Sequence, residues 1–372
     1  MANSVRPGWQ PQWAVAPGEI LLEALQERQM TQSELALRLG RPLKTVNEII
    51  KGKAAITSET ALQLELALGI TARFWTNLET QYRDTLARRE AEALLRSEAG
   101  WVDRFPIEDL VRHRLLERGS TKASTLANLL SWLGISGPAA FERLSGAAAY
   151  RASPAFRASP EAVAAWLRWG ELQAAAFAVG AFDARRFRGV LADIRPLTRK
   201  EPFAQIFKRV QNMCAEAGVV VVLTPELSGT HLSGATRWIG SKVIIQLSLR
   251  YRSDDQFWFT FFHEAGHILV ARRGRDFVDG TDIQETEQDA EERAANQFAR
   301  DALLPTHAFH EFIQANNFSL SAVRAFAASQ SIAPGIVAGR LERDDLVRPG
   351  QLHSLKRTLT LPGTPPPVRR PR

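Results

Sequence analysis

The stretch FWFTFFHEAGHILVAR, residues 257–272, decides how this chain is read. It contains His263-Glu264-Ala265-Gly266-His267, an H-E-x-x-H pattern. On a helix, positions four apart share a face, so the imidazoles of His263 and His267 can bind one metal ion. Glu264 is placed to accept a proton from a metal-bound water. The flanking residues Phe257, Trp258, Phe259, Phe261, Phe262, Ile268, Leu269 and Val270 are apolar almost all round, which is the mark of a buried helix. The competing reading is a pair of satisfied core histidines. Two imidazoles and a carboxylate in an apolar helix carry a desolvation cost, however, and a divalent metal would offset it. The pattern points to metal-assisted hydrolysis, most simply of a peptide bond.

A tetrahedral catalytic zinc needs a third protein ligand and an open water position. Candidates lie downstream in ETEQDAEERAANQFARDALLP, residues 285–305, where Ala290, Ala294, Ala295, Phe298, Ala299, Ala302 and Leu303 form a helical apolar face. Glu292 and Asn296 share one side of that helix. Glu292 as ligand with Asn296 supporting it is chemically sensible. Glu291 stays open as an alternative. Glu287, Asp289, Glu291 and Glu292 form an acidic run, and such runs also read as solvated faces or helix N-terminal charge.

The 372 residues suffice for two or three domains with real cores. With 45% hydrophobic and 23% charged residues, the composition is that of a soluble globular protein. No apolar stretch approaches a membrane span, and no membrane association is expected. The N-terminal MANSVRPGWQPQWAVAPG lacks the order of a signal peptide. The one cysteine, Cys214, fits a reducing cytoplasm and reads as a core thiol. A net charge of +7 favours acidic partners such as nucleic acid. Part of that excess sits in a Pro/Arg tail, with Arg369, Arg370 and Arg372 after Pro365-Pro366-Pro367, which reads as disordered.

Residues 17–86 read as successive helices. Pro17-Gly18 opens the first. Thr31-Gln32-Ser33-Glu34 is a capping box that starts a second, running through Leu39. Gly40-Arg41-Pro42 breaks it, and a third runs from Leu43 to Lys51 with Val46, Ile49 and Ile50 inward. Thr57-Ser58-Glu59 starts a fourth, with Ala61, Leu62, Leu64, Leu66 and Leu68 on its apolar side. A capped helix, a short glycine turn and a second short helix make a helix-turn-helix candidate. Its recognition helix would offer Lys44, Thr45, Asn47 and Lys51, with Arg41 and Lys53 flanking. These residue types contact phosphates and base edges. An ordinary helical bundle is the competing reading. The near balance of charge over the whole segment supports it, and the basic bias around the third helix supports DNA.

Residues 90–215 are alanine-rich and mostly helical, with Trp132, Trp166 and Trp169 as core or interface anchors and no catalytic constellation. From Gly218 the pattern changes. GVVVVLT, Gly218–Thr224, is a buried-strand run. Gly234–Ile239 and Lys242–Ser248 form a hairpin around Gly240-Ser241. An edge strand beside the metal helix would let an extended peptide pair with it while its scissile carbonyl meets the metal. The sequence does not identify the residue that steadies the oxyanion; His231, in the loop before the hairpin, is one candidate, and an exposed loop histidine is the competing reading.

The segment from about 203 to 355 resembles the ImmA/IrrE family of metallopeptidases in GVVVVLTPEL, GATRWIGSKVIIQLSLR, FWFTFFHEAGHILV and EERAANQFARDALLP. Residues 15–86 resemble the HigA-type antitoxin helix-turn-helix through TQSELALRLGRPLKTVNEIIKGKAAIT. The resemblance implies one zinc per chain, held by His263, His267 and Glu292. It departs from the family at Ala294, where members commonly carry a Glu. The fold expected is mainly α with a small antiparallel sheet (α+β). Its parts are a disordered segment 1–14, a helix-turn-helix domain 15–90, a helical connector 91–200, a zincin-like metallopeptidase domain 201–355 and a disordered basic tail 356–372. The function expected is a cytoplasmic, homodimeric DNA-binding regulator, antitoxin-like, whose zinc-dependent endopeptidase domain cleaves a protein partner such as a repressor or toxin. The operator expected is an inverted repeat. The alternative is a toxin–antitoxin repressor whose metallopeptidase fold senses or binds without turnover. The intact Glu264 favours the first.

Overall fold

The computed structural model describes residues 15–149, 158–270, 277–279 and 290–360, so the expected disordered N-terminus 1–14 lies outside them. The chain forms two compact units. One comprises residues 1–100 with Thr121–Ser124, and the other holds the remainder.

The first unit contains α1 (Pro17–Glu27), α2 (Gln32–Leu39), α3 (Leu43–Ile50), α4 (Ser58–Leu68) and α5 (Ala72–Ser97). Caps set the boundaries. The Thr31 hydroxyl accepts the Glu34 amide at 3.2 Å, and Gly40 ends α2 in the left-handed conformation at φ 63°. Thr57 caps α4 in the same way as Thr31 caps α2. Leu21, Leu25, Leu35, Val46, Ile49, Leu64 and Trp75 share one core. Gly18 lets α1 approach α3, because a Cβ there would lie 2.2 Å from the Ile50 carbonyl oxygen. Two expectations change. Leu62 and Leu66 are 58% and 88% exposed, because Ala61, Leu64 and Leu68 follow the inward stripe of α4 and leave the other two on its outer side. In addition, α5 continues past residue 90, so this unit runs to Gly100.

The second unit holds α6 (Ile107–Arg112), most of α7 (Lys122–Leu133), α8 (Pro138–Ala149), α9 (Pro160–Ala175), α10 (Ala184–Ile194) and α11 (Phe203–Glu216). The strands follow: β1 (Val219–Leu223), β2 (Gly234–Ile239), β3 (Lys242–Leu247) and the short β4 (Phe277–Asp279). The metal-motif helix α12 (Asp254–Val270) comes between β3 and β4. It is followed by α13 (Ala290–Leu303), α14 (Thr306–Gln314), α15 (Leu320–Ser329) and α16 (Pro334–Arg343). The expected strands are present to within a residue. The sheet, however, is mixed, in the order β1-β3-β2-β4. The hairpin β2–β3 is antiparallel as expected, but β1 joins β3 in parallel, because the link 224–233 carries the chain over the end of β3 before β2 turns back. The edge of β2 is also not open over Gly234–Thr236, where β4 pairs with it.

Alternation along the strands sorts two layers. Val219, Val221, Val243 and Ile245 face a core shared with α10, α11 and α12. Val220, Val222 and Ile244 pack with Ala174 of α9 on the other side. The stretch expected as a separate connector belongs to this unit from Trp101 onward. Trp166 and Trp169 cluster with Leu227, Leu232 and Ala235, and the Trp166 indole donates to the Thr224 carbonyl at 3.2 Å. Cys214 is fully buried, as expected of a core thiol, and burial pushes its pKa well above the ordinary range.

The described residues run to Thr360, past the expected start of the tail at 356, and two buried carboxylates at the start of α12 hold residues 356 and 357. Asp254 accepts the Arg357 guanidinium at 2.9 Å and the Arg357 amide at 3.0 Å, and Lys356 pairs with Asp255 at 2.8 Å. Residues 361–372 lie outside the described residues. Burial, only partly offset by Arg357, leaves the Asp254 carboxyl above its ordinary pKa. Arg357→Ala should raise that pKa further and destabilise the second unit by about 3 kcal/mol at neutral pH. A folded-state pKa above the unfolded one means stability is lost as pH rises through it. The deficit, measured by denaturant unfolding, should therefore be larger at pH 8 than at pH 5.

Candidate metal centre and nucleic-acid interface

Helix α12 is buried over most of its surface, and His263, Glu264 and His267 are each at most 2% exposed. The helical repeat brings the Nε2 atoms of His263 and His267 to 3.0 Å from each other. From α13, Glu292 sets Oε2 at 3.3 Å from His263 Nε2 and Oε1 at 3.3 Å from His267 Nε2. Sequence spacing left Glu291 and Glu292 both open, and the structure brings Glu292 to the histidines. Asn296 lies half-buried one turn further along α13. Burial pushes the Glu292 carboxyl up, but the two imidazoles outweigh it and hold the group well below the usual carboxylate range.

These distances suit a metal. Ligand atoms at about 2.0–2.1 Å from a tetrahedral zinc lie about 3.3 Å from one another, close to the spacings found. Two imidazoles and one carboxylate are also a donor set that zinc takes, with a position left for water. The helix crossing that makes this possible depends on Gly266. A Cβ there would come within 3.0 Å of the Ala295 Cα, so α13 could not approach α12 as closely.

Glu264 points to the sheet side. The Thr236 hydroxyl of β2 lies 2.6 Å from its Oε2 and 3.0 Å from its backbone carbonyl. Two positions earlier on the same face, Gly234 leaves room for the carboxylate, since a Cβ would lie 2.5 Å from Glu264 Oε1. Sequence reasoning missed Gly234 and Thr236. Their only signal was alternation from a strand next to the motif, and that becomes informative once α12 is known to lie on β2. His231 is half-exposed, and its imidazole lies 3.7 Å from Glu226.

In the first unit, the turn Gly40-Arg41-Pro42 joins α2 to α3. Val46 and Ile49 are buried, Lys44 and Lys51 are exposed, and Thr45 and Asn47 are half-buried between them. Arg41 is turned inward. Its Nε donates to Gln63 at 2.5 Å, and its guanidinium pairs with Glu59 at 3.2 Å. Glu48, not singled out in the sequence, sits 3.8 Å from Lys44 Nζ and places one negative charge on that helix.

Comparison with known proteins agrees with both halves. Residues 214–329 match the IrrE N-terminal-like domain of the peptidase M78 group, and residues 21–75 match the helix-turn-helix family. The uncharacterized HTH-type transcriptional regulator YddM of Escherichia coli K12 is 32% identical over 66 residues, 18% of this chain and 70% of that protein. A HigA-family addiction module antidote protein from Coxiella burnetii is 35% identical, covering 23% of this chain and 94% of its own, with a TM-score of 0.21. PA4674 of Pseudomonas aeruginosa, solved with its operator DNA, is 33% identical over 20% of this chain and 82% of its own, with a TM-score of 0.20. The chain belongs to the helix-turn-helix family through its first unit and carries an IrrE N-terminal-like domain in its second. Among the described residues, no helix is long and apolar enough to cross a membrane.

Protein purified with zinc should carry about one ion per chain, and His263→Ala should abolish uptake. Glu292→Ala should weaken uptake, and Glu291→Ala should leave it unchanged. Metal analysis after dialysis reads all of these.

Proposed function

We propose that this protein is a DNA-binding regulator with a zinc-dependent endopeptidase domain that cleaves a protein partner. The observation that carries the peptidase reading is the convergence of His263, His267 and Glu292 beside a Glu264 carboxylate held by Thr236. A zinc ion held by the three ligands would supply a Lewis acid and lower the pKa of a bound water toward neutrality. Glu264 receives the proton of the attacking water and delivers it to the leaving amine. Thr236 fixes the plane of that carboxylate, and Gly234 provides the space for it. Asn296 supports Glu292 from one helical turn away. A site used only for binding or sensing has no chemical need for a general base, so the placement of Glu264 favours turnover over the alternative of an inert platform. Repressors or a neighbouring toxin are the partner class to assay.

DNA binding is supported by the family of the first unit and by the outward face of α3. Lys44 and Lys51 contact phosphates, and Thr45 and Asn47 read base edges. Arg41 acts differently from the sequence expectation. Through Gln63 and Glu59 it ties the turn to α4 and positions α3. A single reading head favours a dimer on an inverted repeat, with half-sites about one helical turn apart.

Glu264→Gln should keep zinc and lower proteolysis by about 10²–10⁴-fold, read as loss of a defined cleavage product. An unchanged rate would remove Glu264 as the base. In mobility shifts on DNA from the protein's own promoter, replacing Lys44 and Lys51 should weaken binding to all sequences and flatten its salt dependence. Asn47→Ala should relax specificity at one or two positions by about 1–3 kcal/mol each. No shift at low salt would instead make the first unit a protein-interaction module.

A further inference from the structure

The second helix of the helix-turn-helix begins with an apolar side chain. Leu43 is the first residue of α3 and is 43% exposed. It stands outside the core of the unit, to which α3 contributes Val46 and Ile49. A lone exposed leucine is ordinary on a protein surface. Its position sets this one apart, because the N-terminal residues of the second helix are those that meet base edges in this motif. Pro42 precedes it at φ −56° and ψ 139°, so the ring fixes how the chain enters the helix. Arg41 is drawn away to Gln63 and Glu59 of α4, at 2.5 and 3.2 Å.

The surface around Leu43 is polar and basic. Lys44 comes next along α3, and Asn47 and Lys51 follow Leu43 at four-residue steps on one flank of the helix. Lys51 and Lys53 are exposed and pair with no carboxylate among the described residues. Lysines around the leucine give this face the charge that a phosphate backbone complements. Within the major groove the base edges are polar except for the C5 methyl of thymine. A leucine side chain makes no hydrogen bond, so that methyl is the group it can select by contact. Side chains four apart on a helix are about 5–6 Å from each other, and successive base pairs rise about 3.4 Å. Leu43 and Asn47 therefore span one or two base pairs.

We propose that Leu43 is a specificity-determining residue that packs against the C5 methyl of a thymine in the major groove, one or two base pairs from the base that Asn47 reads. The assignment rests on the DNA-binding reading above. Each half-site of the operator then contains a thymine chosen by apolar contact alone.

The test uses the full-length protein and a duplex from its own promoter, narrowed by footprinting to the protected site. Each thymine in turn is replaced by deoxyuridine, which removes the C5 methyl and leaves base pairing unchanged. Affinity is read by mobility shift. One thymine per half-site, within two base pairs of the position relaxed in Asn47→Ala, should cost about fourfold when its methyl is removed, as expected for one methyl-sized group buried. Leu43→Ala should bind the thymine duplex about fourfold more weakly and should no longer distinguish thymine from uracil at that position. Its salt dependence should be unchanged, because the leucine touches no phosphate. Leu43→Met, which keeps an apolar side chain, should retain the methyl effect and provides the reading should Leu43→Ala fail to fold. Equal affinity for every deoxyuridine duplex, or a methyl effect undiminished in Leu43→Ala, overturns the proposal and leaves DNA binding in place. So does equal weakening of Leu43→Ala on thymine and uracil duplexes with loss of dimer in sedimentation, which would put Leu43 between two copies of the chain. No protected site at low salt defeats the DNA reading itself, and the proposal falls with it.

Discussion

The close crossing of α12 and α13 is the constraint on which the second unit depends. Two imidazoles one turn apart need a third ligand from another element, and a carboxylate reaches them only if the two backbones nearly touch. Gly266 against Ala295 permits that approach, and Glu292 stands one turn before Ala295 on the facing stripe. A Cβ at position 266 would require α13 to give way at Ala295, where its Cα and carbonyl oxygen lie 3.0 and 3.1 Å from that position. The same logic operates on the other side of α12, where Gly234 lets the strand lie against Glu264 and Thr236 orients the carboxylate. Two glycines, each serving a close approach and neither a turn, thus set the positions of Glu292 and Glu264.

Buried charge also fixes the start of the metal-motif helix. Asp254 and Asp255 sit at the start of α12, where negative charge suits the positive end of the helix. They are answered from the other end of the unit by Arg357 and Lys356. Gly335 and Gly339 of α16 leave the space in which these carboxylates lie, since a Cβ at either position would meet an aspartate oxygen at 2.4 Å. The metal-motif helix is therefore held at both ends, by ion pairs at its start and by the crossing with α13 near its end.

Much of this was legible in the sequence, for local reasons. The capping box at Thr31, the turn at Gly40 and the β-branched run from Val219 report structure within a few residues of themselves, and the structure agrees to within a residue or two. What was not legible was non-local. The parallel pairing of β1 with β3 depends on where a ten-residue link crosses. The three residues of β4 are too few to show a period. Leu62 and Leu66 looked like core because they are leucines, but only the phase of α4 decides which leucines face inward. Lys356 and Arg357 looked like tail because the residues after them are Pro/Arg-rich, and the carboxylates that hold them lie a hundred residues earlier. Arg41 carried the residue type of a phosphate contact, and its partners on α4 could not be read from its own neighbourhood.

The central claim is that His263, His267 and Glu292 bind one zinc and leave a position for water. X-ray absorption at the zinc K-edge of the loaded protein tests it most directly. The account predicts a four-coordinate ion with two imidazole nitrogens and two oxygens, all at about 2.0–2.1 Å. The His263→Ala protein should hold no zinc and give no such spectrum. A six-coordinate shell made only of oxygens, or a zinc shell with two imidazole nitrogens that persists in that variant, would contradict it.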